Sequence, residues 1–135
     1  MAALSITAAS VAAGSNAQIV SGKAGETITA GKAVYRDAST GEYLLSDADG
    51  TGAKQVTGIA LNGASDGQPL QVQTGGDINL GATLTAGTTY YLGPTAAGDI
   101  GPLVDVASGD DPIIIGIAKS ASMLMMKIAD PDVTI

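Results

Sequence analysis

Residues 26–37 read ETITAGKAVYRD, and residues 82–93 read ATLTAGTTYYLG. Thr27-Ile28-Thr29-Ala30-Gly31 falls on Thr83-Leu84-Thr85-Ala86-Gly87 at an offset of 83 − 27 = 56, and Tyr35 falls on Tyr91 at the same offset. Further along, Gly58-Ile59-Ala60 matches Gly116-Ile117-Ala118 at an offset of 58, so two residues enter between the matches. The ends agree as well, with Asp77-Ile78-Asn79-Leu80 set against Asp132-Val133-Thr134-Ile135. The chain therefore reads as two tandem pseudo-repeats, 26–80 and 82–135, preceded by a segment 1–25 outside the repeat. Such a period exceeds that of most solenoid repeats, and two copies do not make an array. The expected arrangement is one small all-β barrel or sandwich, its two halves closing over a shared interior.

Strand and turn chemistry within each copy supports this. AVYRD-ASTG-EYLLS (33–46) reads as a hairpin whose loop ends in Gly41, where a positive φ costs little. QVTGIALN (55–62) and PLQVQ (69–73) flank GASDG as a second hairpin, and DPIIIGIAKS and SMLMMKI form its counterpart in the other copy. Ile113-Ile114-Ile115 and Met123-Leu124-Met125-Met126 are apolar on both strand faces, which predicts cover by a second layer or by another subunit. Tyr90 and Tyr91 must alternate, so at most one enters the core.

Composition agrees with strands. The 135 residues include no Phe, Trp, Cys or His, four Tyr and 19 Gly, so the core must come from small and β-branched side chains. Without Cys there are no disulfides or thiolate metal sites, and without His the usual proton shuttle and transition-metal ligand are missing. A formal charge of −7, with six scattered basic residues, argues against a nucleic-acid partner. The N-terminal stretch carries no basic residue before Lys23, and its apolar residues are interrupted by Ser, Thr, Gly and Asn. That is a poor secretory signal, and no run is long enough to span a membrane, so a soluble, unprocessed chain is expected.

Several motifs borrow the spelling of functional sites. Gly63-Ala64-Ser65-Asp66-Gly67 spells G-x-S-x-G, which in hydrolases places a nucleophile between a strand and a helix. Here it lies between two predicted strands, and the triad's base is absent from the chain, so Ser65 reads as a hairpin loop and no enzyme is expected. Asp47 and Asp49 in DADGTG resemble the start of a calcium loop, but glycine arrives at position four and position twelve is Gly58; a solvated turn is the simpler reading. GTGAKQ (50–55) has Gln55 where a dinucleotide fingerprint needs its third glycine. Asp110-Asp111 before Pro112 reads as a turn. Neither a cofactor nor a metal is called for.

The segment 1–25 carries spaced apolar residues, Leu4, Ile6, Val11, Ile19 and Val20, among Ala, Ser and Gly. It reads either as a frayed terminus or as an extended N-terminal arm that adds a strand to a partner, with Ile19-Val20 assigned to the folded body.

ITAGKAVYRD, GIALNGASDGQPLQV, GATLTAGTTYYL and IIGIA, taken together across nearly the whole length, resemble the head decoration (capsid cement) proteins of tailed bacteriophages. The resemblance implies a β-rich domain on the outer surface of the virion, made in the host cytoplasm, that binds the major capsid protein and braces neighbouring capsid subunits. It further implies a homo-oligomer, a trimer over a local threefold position being favoured over a dimer, and it brings no catalytic residues. On this reading Leu4, Ile6 and Val11 dock on capsid protein, and removing residues 1–16 abolishes head binding while leaving the body folded. The competing reading is a carbohydrate- or cell-binding β-module, for which four tyrosines make a poor stacking platform.

Overall fold

The computed structural model describes residues 6–46, 56–92, 98–102 and 113–129. The described residues are all-β, relieved only by a 3-10 turn at Ala8–Ser10. The strands are β1 (Ala12–Ala13), β2 (Gln18–Lys23), β3 (Ala33–Arg36), β4 (Tyr43–Leu45), β5 (Gly58–Ala60), β6 (Pro69–Asn79), β7 (Thr89–Leu92), β8 (Ile100–Pro102), β9 (Ile114–Ala118) and β10 (Met123–Ala129). They form one antiparallel sheet curled as a half-barrel, in the order β4-β3-β5-β6-β10-β9-β7-β8, with β1 and β2 also pairing to β6.

The 11-residue β6 organises the molecule. In its first half Gln73 and Val72 pair with Ile19 and Val20 of β2 on one edge and with Ile59 and Ala60 of β5 on the other. In its second half Ile78 pairs with Ala13 of β1 and with Leu124 of β10. Between the halves the β2 register slips by one residue, and Gly76 takes a φ of 85°. A bulge of this kind turns the following side chains to the opposite face. The buried amide of Gln73 fixes the switch, donating from Nε2 to the carbonyls of Gly75 at 3.0 Å and Asp77 at 2.7 Å.

On either side of this switch the same pairing scheme is met. β3 pairs with β4 and β5, and β5 with β6; β7 pairs with β8 and β9, and β9 with β10. The Gly31 amide donates to Ala60 O and the Gly87 amide to Ala118 O, both at 2.8 Å. Ala33 faces Ile59 as Thr89 faces Ile117, and Ile59 faces Gln73 as Ile117 faces Met125. Gly31 and Gly87, the last residues of the two TAG turns, have φ values of 91° and 85°.

The interior departs from the single shared core that the sequence suggests. Two buried clusters form, one from Ala24, Ile28, Val34, Tyr43, Ala60, Ala64, Leu70 and Val72, the other centred on Ile78, Tyr90, Leu92, Ile100, Ile115 and Leu124. The short strands β3 and β5 divide them. Val34 and Ala60 point into the first cluster, whereas their neighbours Ala33 and Ile59 point into the second. Alternation along a strand gives each of these residues a core of its own, which is why β5 is buried throughout. Tyr90 is the buried tyrosine of its pair, and its hydroxyl accepts the Thr85 amide at 3.0 Å. Where the halves meet, Gly98 accepts the Ala33 amide at 2.9 Å, and Lys32 Nζ pairs with Asp99 at 2.5 Å.

The N-terminal segment is not a loose arm over its described length. Thr7 N donates to Gly81 O, and Gly14 N to Asp77 O, both at 2.8 Å, while Asn16 Oδ1 accepts the Asp77 amide. These bonds, with β1 and β2, cover the free edge of β6, so the folded body begins no later than Ile6 rather than at residue 26. An uncovered strand edge is costly, and the segment's alternating small and apolar residues suit it to pairing here. Deleting residues 1–16 is therefore expected to lower the unfolding free energy by about 2 kcal/mol, from the hydrogen bonds and apolar contact removed. Urea titration of the truncated and full chains checks this; equal midpoints would restore the loose arm.

Candidate functional site

Among the described residues, those singled out from sequence do not converge on a polar centre. Leu4, Asp47, Asp49, Asp110 and Asp111 lie outside the described residues. Ile6 and Val11 lie together over the Gly31 turn: a Cβ on Gly31 would come within 2.6 Å of Ile6 Cγ2 and 3.2 Å of Val11 Cγ2. Both are half-buried, and Val11 packs against the larger core, so each spends part of its apolar surface on its own molecule.

Ser65 sits in the loop joining β5 to β6. Its amide donates to Gln68 Oε1 at 2.8 Å and its carbonyl accepts the Gln68 amide at 2.9 Å. Gly67 follows with a φ of 84°, closing the turn that brings the chain back to β6. These bonds give the G-x-S-x-G spelling a structural use, as a hairpin connection between two antiparallel strands. Among the described residues no group of three or more His, Cys, Asp and Glu is placed to hold a metal ion, and no helix is long and apolar enough to cross a membrane.

What the molecule does present is apolar side chains on rigid strands. Ile19 and Val20 stand on opposite faces of β2 and are 47% and 39% exposed. Ile117 and Met125 pair across β9 and β10 and are each 38% exposed. Met125 also faces Asp77 of β6, and Ile117 faces Thr89 of β7, so the four residues form one row across the outer face of the second half. Half-buried Met123 flanks the row. Asp77 is held at the edge by Lys119, whose Nζ lies 2.6 Å from its carboxylate, and exposed Lys127 follows Met125 on the same face.

The sequence flags this row without placing it. The Met123–Met126 run is apolar on both faces, and the structure buries Leu124 and Met126 while leaving Met125 outside. The second layer anticipated over the outer face is not supplied by the described residues of this chain. The site is thus a surface able to hold another apolar surface. No protein-family model matches the chain, and no curated protein matches it in sequence.

Proposed function

We propose that this chain is a structural protein of a phage particle, binding the outer surface of the head and stabilising contacts between major capsid subunits. The observation that carries the reading is the succession of strand and turn motifs, ITAGKAVYRD through IIGIA, that resembles head decoration proteins over nearly the whole length. A compact β-body with exposed apolar strand positions suits the role, since cement needs surfaces rather than a catalytic centre. The repeated pairing scheme is consistent with duplication of one ancestral β-unit, the pseudo-repeats 26–80 and 82–135. Homo-oligomerisation, with a trimer favoured, would let several weak contacts to the shell act together.

The mode of attachment differs from a swinging arm. The surface of Ile6 and Val11 left over after packing on Gly31 is proposed to meet the capsid from a segment already fixed to the body, and Leu4 is proposed as a further contact. A preordered contact loses less conformational entropy on docking than a loose one. The carbohydrate-binding alternative is weakened because Tyr43 and Tyr90 are buried and cannot serve as sugar platforms.

Incubating the purified chain with expanded heads that lack it, then sedimenting the heads, tests the reading. Saturable co-sedimentation at a fixed ratio to the major capsid protein is expected, with Leu4→Asp weakening it. Failure of the unmodified chain to sediment with heads overturns the proposal.

A further inference from the structure

We infer that the outer face built from Ile117, Met125 and Thr89 is where a second copy of this chain packs. Corresponding ladder positions in the two halves differ in their cover. In the first half, Ala33, Ile59 and Gln73 form a row across β3, β5 and β6, and all three are fully buried. Ala33 and Ile59 are buried because they face the second half's core. In the second half the same ladder positions are held by Thr89, Ile117 and Met125. The chain thus covers this face once with its own body and leaves the corresponding face open, 38% exposed at both Ile117 and Met125.

Residue choice at the open face is that of a covered one. A solvated strand face alternates apolar with polar residues, yet here isoleucine and methionine occupy the outward positions of adjacent strands. Methionine adapts to an irregular partner surface, and paired apolar residues at the centre of a polar rim are the usual anchor of an interface. The rim is present: Lys119 bonded to Asp77 on one side and Lys127 on the other.

Charge selects the occupant. Two copies each carrying −7 repel one another over most of their surfaces. This face carries two of the chain's six basic residues, Lys119 and Lys127, and one carboxylate, Asp77, among the residues placed on it. With Lys119 already paired to Asp77, Lys127 is the one uncompensated charge among the residues placed here, so this is a face on which two acidic copies meet without the repulsion set up by the rest of their surfaces. This names the surface for the self-association in the functional reading, and it rests on that reading only for the expectation that the chain is an oligomer.

Sedimentation velocity of the full chain alone, from low to high micromolar, tests it without any capsid. Concentration-dependent association is expected. Ile117→Lys and Met125→Lys should each weaken it at least tenfold while circular dichroism and the melting temperature stay near those of the unmodified chain. Val20→Lys, at a comparably exposed position on β2, should associate normally. Peroxide oxidation of the unmodified chain gives a readout independent of folding of the variants: Met125 should oxidise at least threefold more slowly at high protein concentration than at low. A monomer at every concentration, association that survives both lysine variants in folded form, or equal Met125 oxidation rates across concentration would each overturn the inference. A chain that self-associates through this face but ignores heads would leave the inference standing and remove the capsid reading.

Discussion

Gly58→Ala is expected to destabilise the protein by about 3 kcal/mol or more, the upper range for overpacking. Gly58 is buried where β5 runs close beside β6, and a Cβ there would strike the Gln73 carbonyl oxygen and lie 2.7 Å from Val72 Cγ1. The carbonyl is backbone, so no side-chain rotation relieves the clash. Moving it breaks the ladder in which Ile59 faces Gln73 and Ala60 faces Val72. Gly116 meets the same obstacle, its Cβ colliding with the Met125 carbonyl oxygen, and Gly116→Ala should cost a similar amount. Gly67 supplies the control: its φ is 84° but nothing lies within 4 Å of a built Cβ. Gly67→Ala should therefore show only the backbone penalty, about 1 kcal/mol. Urea titrations of the three variants decide the matter. If Gly58→Ala costs no more than Gly67→Ala, the close approach of β5 to β6 at Gly58 is wrong.

Leu124→Ala and Leu70→Ala are each expected to cost about 3 kcal/mol, since both residues are fully buried and each leaves a cavity. They lie in different cores, Leu124 in the larger and Leu70 in the smaller. The informative outcome is where the loss is felt. Because β3 and β5 wall both cores and β6 runs through both halves, neither half can open without exposing the other. Leu70→Ala should thus lower hydrogen-exchange protection of the β10 amides by about the same free energy as those of β3, as in a single cooperative unit. Protection of β10 that stays at its unmodified level would mean two independent halves.

The sequence makes the hairpins legible because their punctuation is local. Gly41 takes a φ of 76° in the loop between β3 and β4, and the TAG turns end at Gly31 and Gly87, where positive φ is required. The alternation of Tyr90 and Tyr91 is equally local. What the sequence leaves open depends on contacts between distant residues. Gly75-Gly76 marks an irregularity within the strand pattern, but it does not tell that β6 changes partners there, because the bulge is defined by its neighbours β2, β1 and β10. The same holds for the two cores. Ala33 and Val34 read as one apolar pair, and only the fold sends them to separate clusters.

The N-terminal segment teaches the same lesson. Its Ala, Ser and Gly content suggests a free arm, but small residues also let backbone lie close to backbone. Gly14 shows this, its Cβ position falling 2.6 Å from the Asp77 carbonyl oxygen. The candidate surface was half visible. The apolar character of Ile117 and Met125 is plain in the sequence, whereas their outward direction follows from the burial of Leu124 and Ala118 beside them.

Electron microscopy of heads with and without the bound chain, paired with a heat challenge, tests the functional claim most directly. Added density on the outer surface, spanning junctions between major capsid subunits, is expected, with a higher disruption temperature for decorated heads. Heads that show no outer density, or that carry it and break at the same temperature as bare heads, would contradict a cementing role.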